Sequence, residues 1–217
     1  RMPAFLFDMD GVIIDSTRTH TAAWHQYLAG HGIALEDVEA RMLGKHNDAI
    51  VREFFRSREL TPEEIFRHGA GKEAVYRERM APMVMDRLIP GVTSFLRQWR
   101  DIPKAVATNG ERANVEFVLE RSNLRQYFQA VLSGDDVERP KPAPDIYLRA
   151  AEMLGANPLD CIVFEDSIPG VEAARNAGMR VIGLTTTLHD LPGVDLTIAH
   201  FLEPALETWL ATTAFAI

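Results

Sequence analysis

Asp8 and Asp10 stand two residues apart at the end of an apolar run, with Gly11 immediately after them. Two carboxylates about 4 Å apart repel by roughly 4 kcal/mol at an effective dielectric near 20, so the pair wants a cation. An Asp-x-Asp-Gly turn has two readings, a solvated turn or a site for Mg2+ and a phosphate group. Thr108, Asn109 and Gly110 supply a hydroxyl followed by backbone amides, suited to phosphate oxygens or to a plain turn. Lys141 lies between Pro140 and Pro142, which restrict the backbone and aim its ammonium. Glu165 and Asp166, followed by Ser167 and Gly170, bring two more carboxylates that are disfavoured together without a divalent ion.

These clusters need elements that bring them to one place. Short, continuously apolar runs at 4–7, 105–108, 130–133, 162–165 and 181–184 predict parallel strands covered on both faces. Between them the period is helical: Tyr147, Ala150, Ala151 and Leu154 form one face with Gly155 just beyond, and a second helix runs from Pro169 toward Ala177 and stops at Gly178. The fold class predicted is α/β, a Rossmann-like doubly wound parallel sheet. In such a sheet ligands bind beyond the carboxyl ends of the strands, which places all four clusters at one edge.

About a hundred residues separate the first two strands, far more than one crossover helix needs. The stretch between them is helical, with Trp24, Tyr27 and Leu28 on one face, Ile50, Phe54 and Phe55 on another, and a helix start at Thr61, Pro62, Glu63 and Glu64. An all-α helical cap domain over 16–86 is therefore expected, inserted into a core made of 1–15 and 87–217. Its linkers, 14–17 and 84–90, are expected to lie close together and form a hinge.

The 217 residues carry 23 Lys plus Arg against 31 Asp plus Glu, a formal charge of −8, which argues against nucleic acid or an anionic membrane as the main partner. Cys161, the one cysteine, cannot form an internal disulfide and fits a reducing compartment. No apolar stretch approaches the roughly 20 residues that span a bilayer, and no signal-peptide order opens the chain, so a cytoplasmic protein is expected. Arg1 ahead of Met2 points to Met2 as the native start. No interface is evident in residues 188–217, and a monomer is expected. Trp24, Trp99 and Trp209 stand at helical positions and read as core. The histidines lack partners at zinc-like spacing.

The order Asp-x-Asp-Gly, Thr, Lys, Glu-Asp, each at a strand end and spread over almost the whole chain, resembles the haloacid dehalogenase superfamily. More narrowly, it resembles the phosphatase and β-phosphoglucomutase-like branch with a helical cap after the first strand. The resemblance implies that Asp8 is a nucleophile forming an aspartyl phosphate and that Asp10 is the general acid and base. It implies Mg2+ held by Asp8, the Asp10 carbonyl and Asp166, with Glu165 beside or through water. Thr108, Lys141 and the amides of Asn109 and Gly110 would hold the transferring phosphoryl group, and Ser167 would cap a helix.

The same resemblance places His20, Trp24 and Lys72 on the substrate side of the cap, although a helical histidine also has a structural reading. Gly44, Lys45, His46, Asn47 and Asp48 sit where the mutases carry an arginine for the distal phosphate. Here Asn47 takes that place, with Lys45 nearby. The Gly71, Lys72 pair is not a nucleotide-binding P-loop, because Glu73 stands where Ser or Thr is required. The reading that results is a Mg2+-dependent phosphatase of a small phosphorylated metabolite, a sugar phosphate. β-Phosphoglucomutase is the alternative within this chemistry. A non-catalytic phospho-switch and a true dehalogenase are set aside because Asp10 is present.

Overall fold

The computed structural model describes residues 3–43, 45–56 and 58–214; Arg1, Met2, Gly44, Ser57 and residues 215–217, with the expectations placed on the first three, lie outside them. The strands are β1 (Ala4–Phe7), β2 (Lys104–Ala107), β3 (Ala130–Leu132), β4 (Cys161–Glu165), β5 (Arg180–Leu184) and β6 (Leu196–Ile198). They form one parallel sheet in the order β3-β2-β1-β4-β5-β6. Alternate residues of β1 serve opposite faces: Ala4 and Leu6 pack with Tyr147 and Ala150, Phe5 and Phe7 with Phe95, Phe128 and Phe164. Burial on both faces is why the strands read as unbroken apolar runs. The sixth strand was not expected, since Leu-Thr-Ile is short and pairs only with β5 at the sheet's edge.

The helices are α1 (Thr17–Ala29), α2 (Val38–Met42), α3 (Asn47–Phe54), α4 (Pro62–Met80), α5 (Val92–Gln98), α6 (Arg112–Arg121), α7 (Asp145–Met153), α8 (Ile168–Asn176) and α9 (Pro204–Trp209). The start of α4 is a capping box: Thr61 Oγ1 accepts from the Glu64 amide at 3.3 Å and the Glu64 carboxylate accepts from the Thr61 amide at 2.8 Å. Helices α1 to α4 hold an apolar cluster of their own, built on Trp24, Leu28, Ile50, Phe54, Phe55 and Ile65. Ala23, Tyr76 and Met80 join the sheet's aromatic cluster instead. Where the chain enters and leaves this helical stretch the two segments touch: the Ile89 amide donates to the Ile13 carbonyl at 2.9 Å and the Asp15 amide to the Arg87 carbonyl at 2.7 Å. Among the described residues no helix is long and apolar enough to cross a membrane.

The strand order reverses at β1, whose neighbours β2 and β4 leave in opposite directions. A crevice opens beyond the carboxyl ends at such a switch point. Asp8, Thr108 and Asp166 are the first residues past β1, β2 and β4; Phe7 pairs with Val106 and Phe164, so parallel register brings all three to one edge, with Thr108 and Asp166 one residue beyond the level of Asp8.

Candidate active site

The crevice is a cavity of about 550 Å3 between the sheet edge and helices α1, α3 and α4. Every residue expected at the site lines it except Glu165, which lies fully buried behind its floor. Asp8 is fixed by its amide, which donates to the Phe164 carbonyl at 3.0 Å. Lys141 Nζ donates to Asp8 Oδ1 at 2.8 Å and to Glu165 Oε1 at 2.7 Å, and stands 4.7 Å from the centre of the Tyr147 ring. Burial pushes the Asp8 carboxyl up to about 7; the Lys141 cation opposes this, while the charges of Glu165 and Asp10 add to it. The Asp166 carboxyl is raised well above its ordinary value by burial and by the Glu165 and Asp8 charges.

Glu165 accepts from Lys141 and the Tyr147 hydroxyl at Oε1, and from the amides of Asp166 and Ser167 and the Ser167 hydroxyl at Oε2. Both of its oxygens thus have protein donors, as Asp8 Oδ1 has in Lys141. Ser167 caps α8, its hydroxyl accepting from the Gly170 amide at 3.2 Å. A Cβ at position 170 would stand in the space the Glu165 carboxylate occupies, which glycine leaves open. Gly11 is required twice over: its φ is +75°, and a Cβ there would run into Asp166.

Asp10 Oδ1 accepts from Ser16 Oγ at 2.6 Å and faces His20 Nε2 at 3.4 Å. Burial would push this carboxyl up, but the contacts with His20 and Ser16 outweigh it and hold it below its ordinary value. Thr108 is 2 % exposed, and its hydroxyl accepts the Gly110 amide at 3.2 Å. That amide was expected to face phosphate and instead closes a local turn. Asn109 contributes through its side chain, whose Oδ1 accepts from the Lys141 amide at 3.1 Å.

On the helical side, Lys72 and Trp24 are buried, with Lys72 Nζ 4.9 Å from the Trp24 ring centre. Lys72 Nζ lies 3.1 Å from His20 Nδ1 and donates to Glu73 Oε1 at 2.5 Å. An ammonium has only donors, so His20 Nδ1 accepts and its Nε2–H faces Asp10. Asn47 Nδ2 donates to Glu73 Oε1 at 2.8 Å, and Lys45 pairs with Glu53 at 2.6 Å. Both side chains expected near a distal phosphate are therefore held by glutamates. Sequence reasoning missed Glu73 and Asn114 as partners. The one available signal was Asn114 on an otherwise apolar helix face with Val115, Val118 and Leu119.

A divalent ion fits this site. Asp8, Glu165 and Asp166 each offer an oxygen within 4.8 Å of the others, and all the donors are hard oxygens. Among the described residues, Lys141 is the one cation paired with any of the three. Burial first, and then the neighbouring carboxylates, raise Asp8 and Asp166, a penalty on their charged forms that a bound cation would offset.

Residues 2–178 match the family model of the haloacid dehalogenase-like hydrolases. The chain is 35% identical over 184 residues to the fructose-1-phosphate phosphatase YqaB of Escherichia coli, covering 84% of this chain and 96% of that one. It is 27% identical to the β-phosphoglucomutase of Bacillus subtilis, covering 95% and 93%. The crystal structure of a family IA, variant 3 haloacid dehalogenase hydrolase from Entamoeba histolytica superposes with a TM-score of 0.83 at 29% identity, over 97% of this chain and 98% of that one. A six-stranded parallel sheet with an acidic cluster at its switch point is the architecture of a hydrolase of this class. The chain belongs to the haloacid dehalogenase-like hydrolase family.

Proposed function

We propose that this protein is a Mg2+-dependent phosphatase of a small sugar monophosphate that works through an aspartyl phosphate on Asp8. The observation that carries the reading is Asp8 itself: a buried carboxylate on the cavity floor, held by Lys141, with Asp10 two residues on and, among the described residues, without a hydrogen-bond partner at its second oxygen. Asp8 attacks phosphorus, the bond to the sugar oxygen breaks, and Asp10 delivers a proton to that oxygen. The bound phosphate's negative charge raises Asp10 toward the protonated form the step needs. Asp10 then takes a proton from water, whose oxygen attacks phosphorus and releases Asp8 and inorganic phosphate. Lys141 and the Thr108 hydroxyl stay on the phosphoryl oxygens, where charge is shared in the transition state. Asp8, the Asp10 carbonyl and Asp166 would hold Mg2+, which supplies charge neutralisation for those oxygens.

Residues 16–86 act in this reading as a cap over a core of 1–15 and 87–217, with the paired linkers as the hinge. The relative that hydrolyses fructose 1-phosphate supports a sugar ester as substrate. Hydrolysis is favoured over the mutase reaction because Lys45 and Lys72, on the helical side of the cavity, are each paired with a glutamate, leaving no free lysine there among the described residues for a second phosphate. The contact of Lys72 with His20, beside Asp10, favours β-phosphoglucomutase as the second reading. A cytoplasmic monomer is the setting proposed; the buried thiol of Cys161 supports a reducing compartment.

The test is Asp8→Asn, assayed by phosphate release from fructose 1-phosphate with excess Mg2+, beside a coupled assay converting β-glucose 1-phosphate to glucose 6-phosphate with the bisphosphate supplied. Turnover should vanish in the variant, and in the wild type phosphate release should outpace isomerisation. Variant activity within about tenfold of wild type, ~1.4 kcal/mol of transition-state stabilisation, removes Asp8 as nucleophile.

A further inference from the structure

Glu73 is an ionised carboxylate in an unusual place. It is 4 % exposed, on the inner face of α4 in the cavity wall, with Oε2 3.7 Å from His20 Nδ1. Burying a charge costs several kcal/mol, and an apolar residue of the same size would serve packing at least as well. Its two oxygens divide their work. Oε1 accepts from Lys72 and from Asn47, at the start of α3. Oε2 accepts from Asn114 Nδ2 at 2.7 Å, across the boundary between the helical insert and α6 of the sheet core. Asn114 is 1 % exposed and uses both ends of its amide, because its Oδ1 accepts from Arg77 Nη1 at 2.8 Å. Arg77 Nη1 also donates to Glu111 Oε1 at 2.8 Å. One turn of α4 is thereby tied to one turn of α6 through an interlocked set of donors and acceptors that tolerates no slippage.

The other end of the same set reaches the chemistry. From Glu73 the contacts run through Lys72 Nζ to His20 Nδ1 and from His20 Nε2 to Asp10 Oδ1. The His20 ring is held flat on Tyr76, 3.8 Å between centres.

We propose that Glu73 and Asn114 are positioning residues: they latch the helical insert onto the core and so set where Lys72 and His20 stand against Asp10. This rests on the reading of Asp10 as the acid and base. Both stand in the cavity wall, with their polar side-chain atoms bonded to each other and to Lys72, Asn47 and Arg77. Both act through the docking of α4 on α6, which places the ring that faces Asp10.

The hydrogen-bond polarity provides the experiment. N114D sets two carboxylates against each other; E73Q sets two amide donors against each other; N114A leaves Oε2 unpartnered. In the double variant E73Q/N114D the polarity is reversed and whole. The introduced amide nitrogen donates to the introduced carboxylate, the amide oxygen still accepts from Lys72 and Asn47, and Arg77 keeps its acceptor. Each single variant should lose roughly 100-fold in kcat, the scale of an ångström of misplacement, with KM for fructose 1-phosphate changed less than about threefold. The double variant should return to within about fivefold of wild type. Thermal melting of all four separates folding from positioning, and if N114D does not fold, N114A and the double variant carry the comparison. Single variants with wild-type kcat, or a double variant no better than the worse single, overturn the latch. Asp8→Asn run alongside keeps the two ideas apart: an inert Asp8→Asn with unimpaired latch variants refutes the latch alone, and an active Asp8→Asn refutes the reading beneath it.

Discussion

Replacing Gly170 by alanine sets two effects of opposite sign against each other. Within α8, alanine is the better helix former by about 1 kcal/mol, so propensity alone predicts a stabler protein. The added methyl, however, would stand under 3.0 Å from both carboxylate oxygens and Cδ of Glu165, and must retreat by at least about 1 Å to reach ordinary contact. Two routes are open. If the Glu165 side chain gives way, it loses the bonds from Lys141 at 2.7 Å and Tyr147 at 2.8 Å, each worth about 1.5–3 kcal/mol for a charged partner. If α8 lifts instead, the Ser167 amide and hydroxyl leave Oε2, and Val171 and Ala174 come away from the sheet. Either route costs about 3–6 kcal/mol and exceeds the propensity gain. For a chain of this size that lowers Tm by on the order of 10 °C. The first route also frees Lys141, so phosphate release should fall at least tenfold. Thermal melting and turnover, with and without Mg2+, make the measurement. A variant as stable as wild type with full activity would show that the Glu165 carboxylate is not the rigid support described.

If Mg2+ occupies the proposed site, removing it should make stability depend on pH with a definite sign. Without a metal, burial pushes the Asp8 carboxyl up to about 7 from its ordinary 3.8, so between those values the folded protein keeps a proton the unfolded chain has released. Stability in EDTA should therefore fall as pH rises from about 4.5 to 7, on the order of 4 kcal/mol from Asp8, with Asp166 acting in the same direction. Mg2+ should abolish the slope; a flat EDTA profile that Mg2+ leaves unmoved removes the metal from this cluster. Tyr147→Phe deletes one hydrogen bond to the buried Glu165 carboxylate and should cost about 1.5–3 kcal/mol, read as a lower Tm with Mg2+ affinity retained. An unchanged Tm would mean that Glu165 is held without it.

Asp8, Asp10, Thr108 and Asp166 are legible in the amino-acid sequence, because each lies within three residues of a strand end and a parallel sheet brings strand ends together; Lys141, nine residues past β3, is legible through the prolines that flank it. The start of α4 is equally legible, since Thr61 and Glu64 bond only to each other's neighbourhood in the chain. The edge strand β6 is not, because three residues with one neighbour carry too little pattern.

Residue type and spacing thus determined which groups meet, wherever the meeting follows from local register. What those groups do once together belonged to tertiary structure. Glu165 reads in the chain as a carboxylate beside the metal, and the fold adds Lys141, Tyr147 and the cap of α8 as its partners. Lys45 and Asn47 read as substrate contacts and are held by Glu53 and Glu73. Asn114 stands out on an apolar helix face, but nothing local names Glu73, 41 residues away, as its partner. A buried charge takes its partner from whatever the fold brings within about 3 Å, and that choice is made by packing between elements, which no periodicity along the chain encodes.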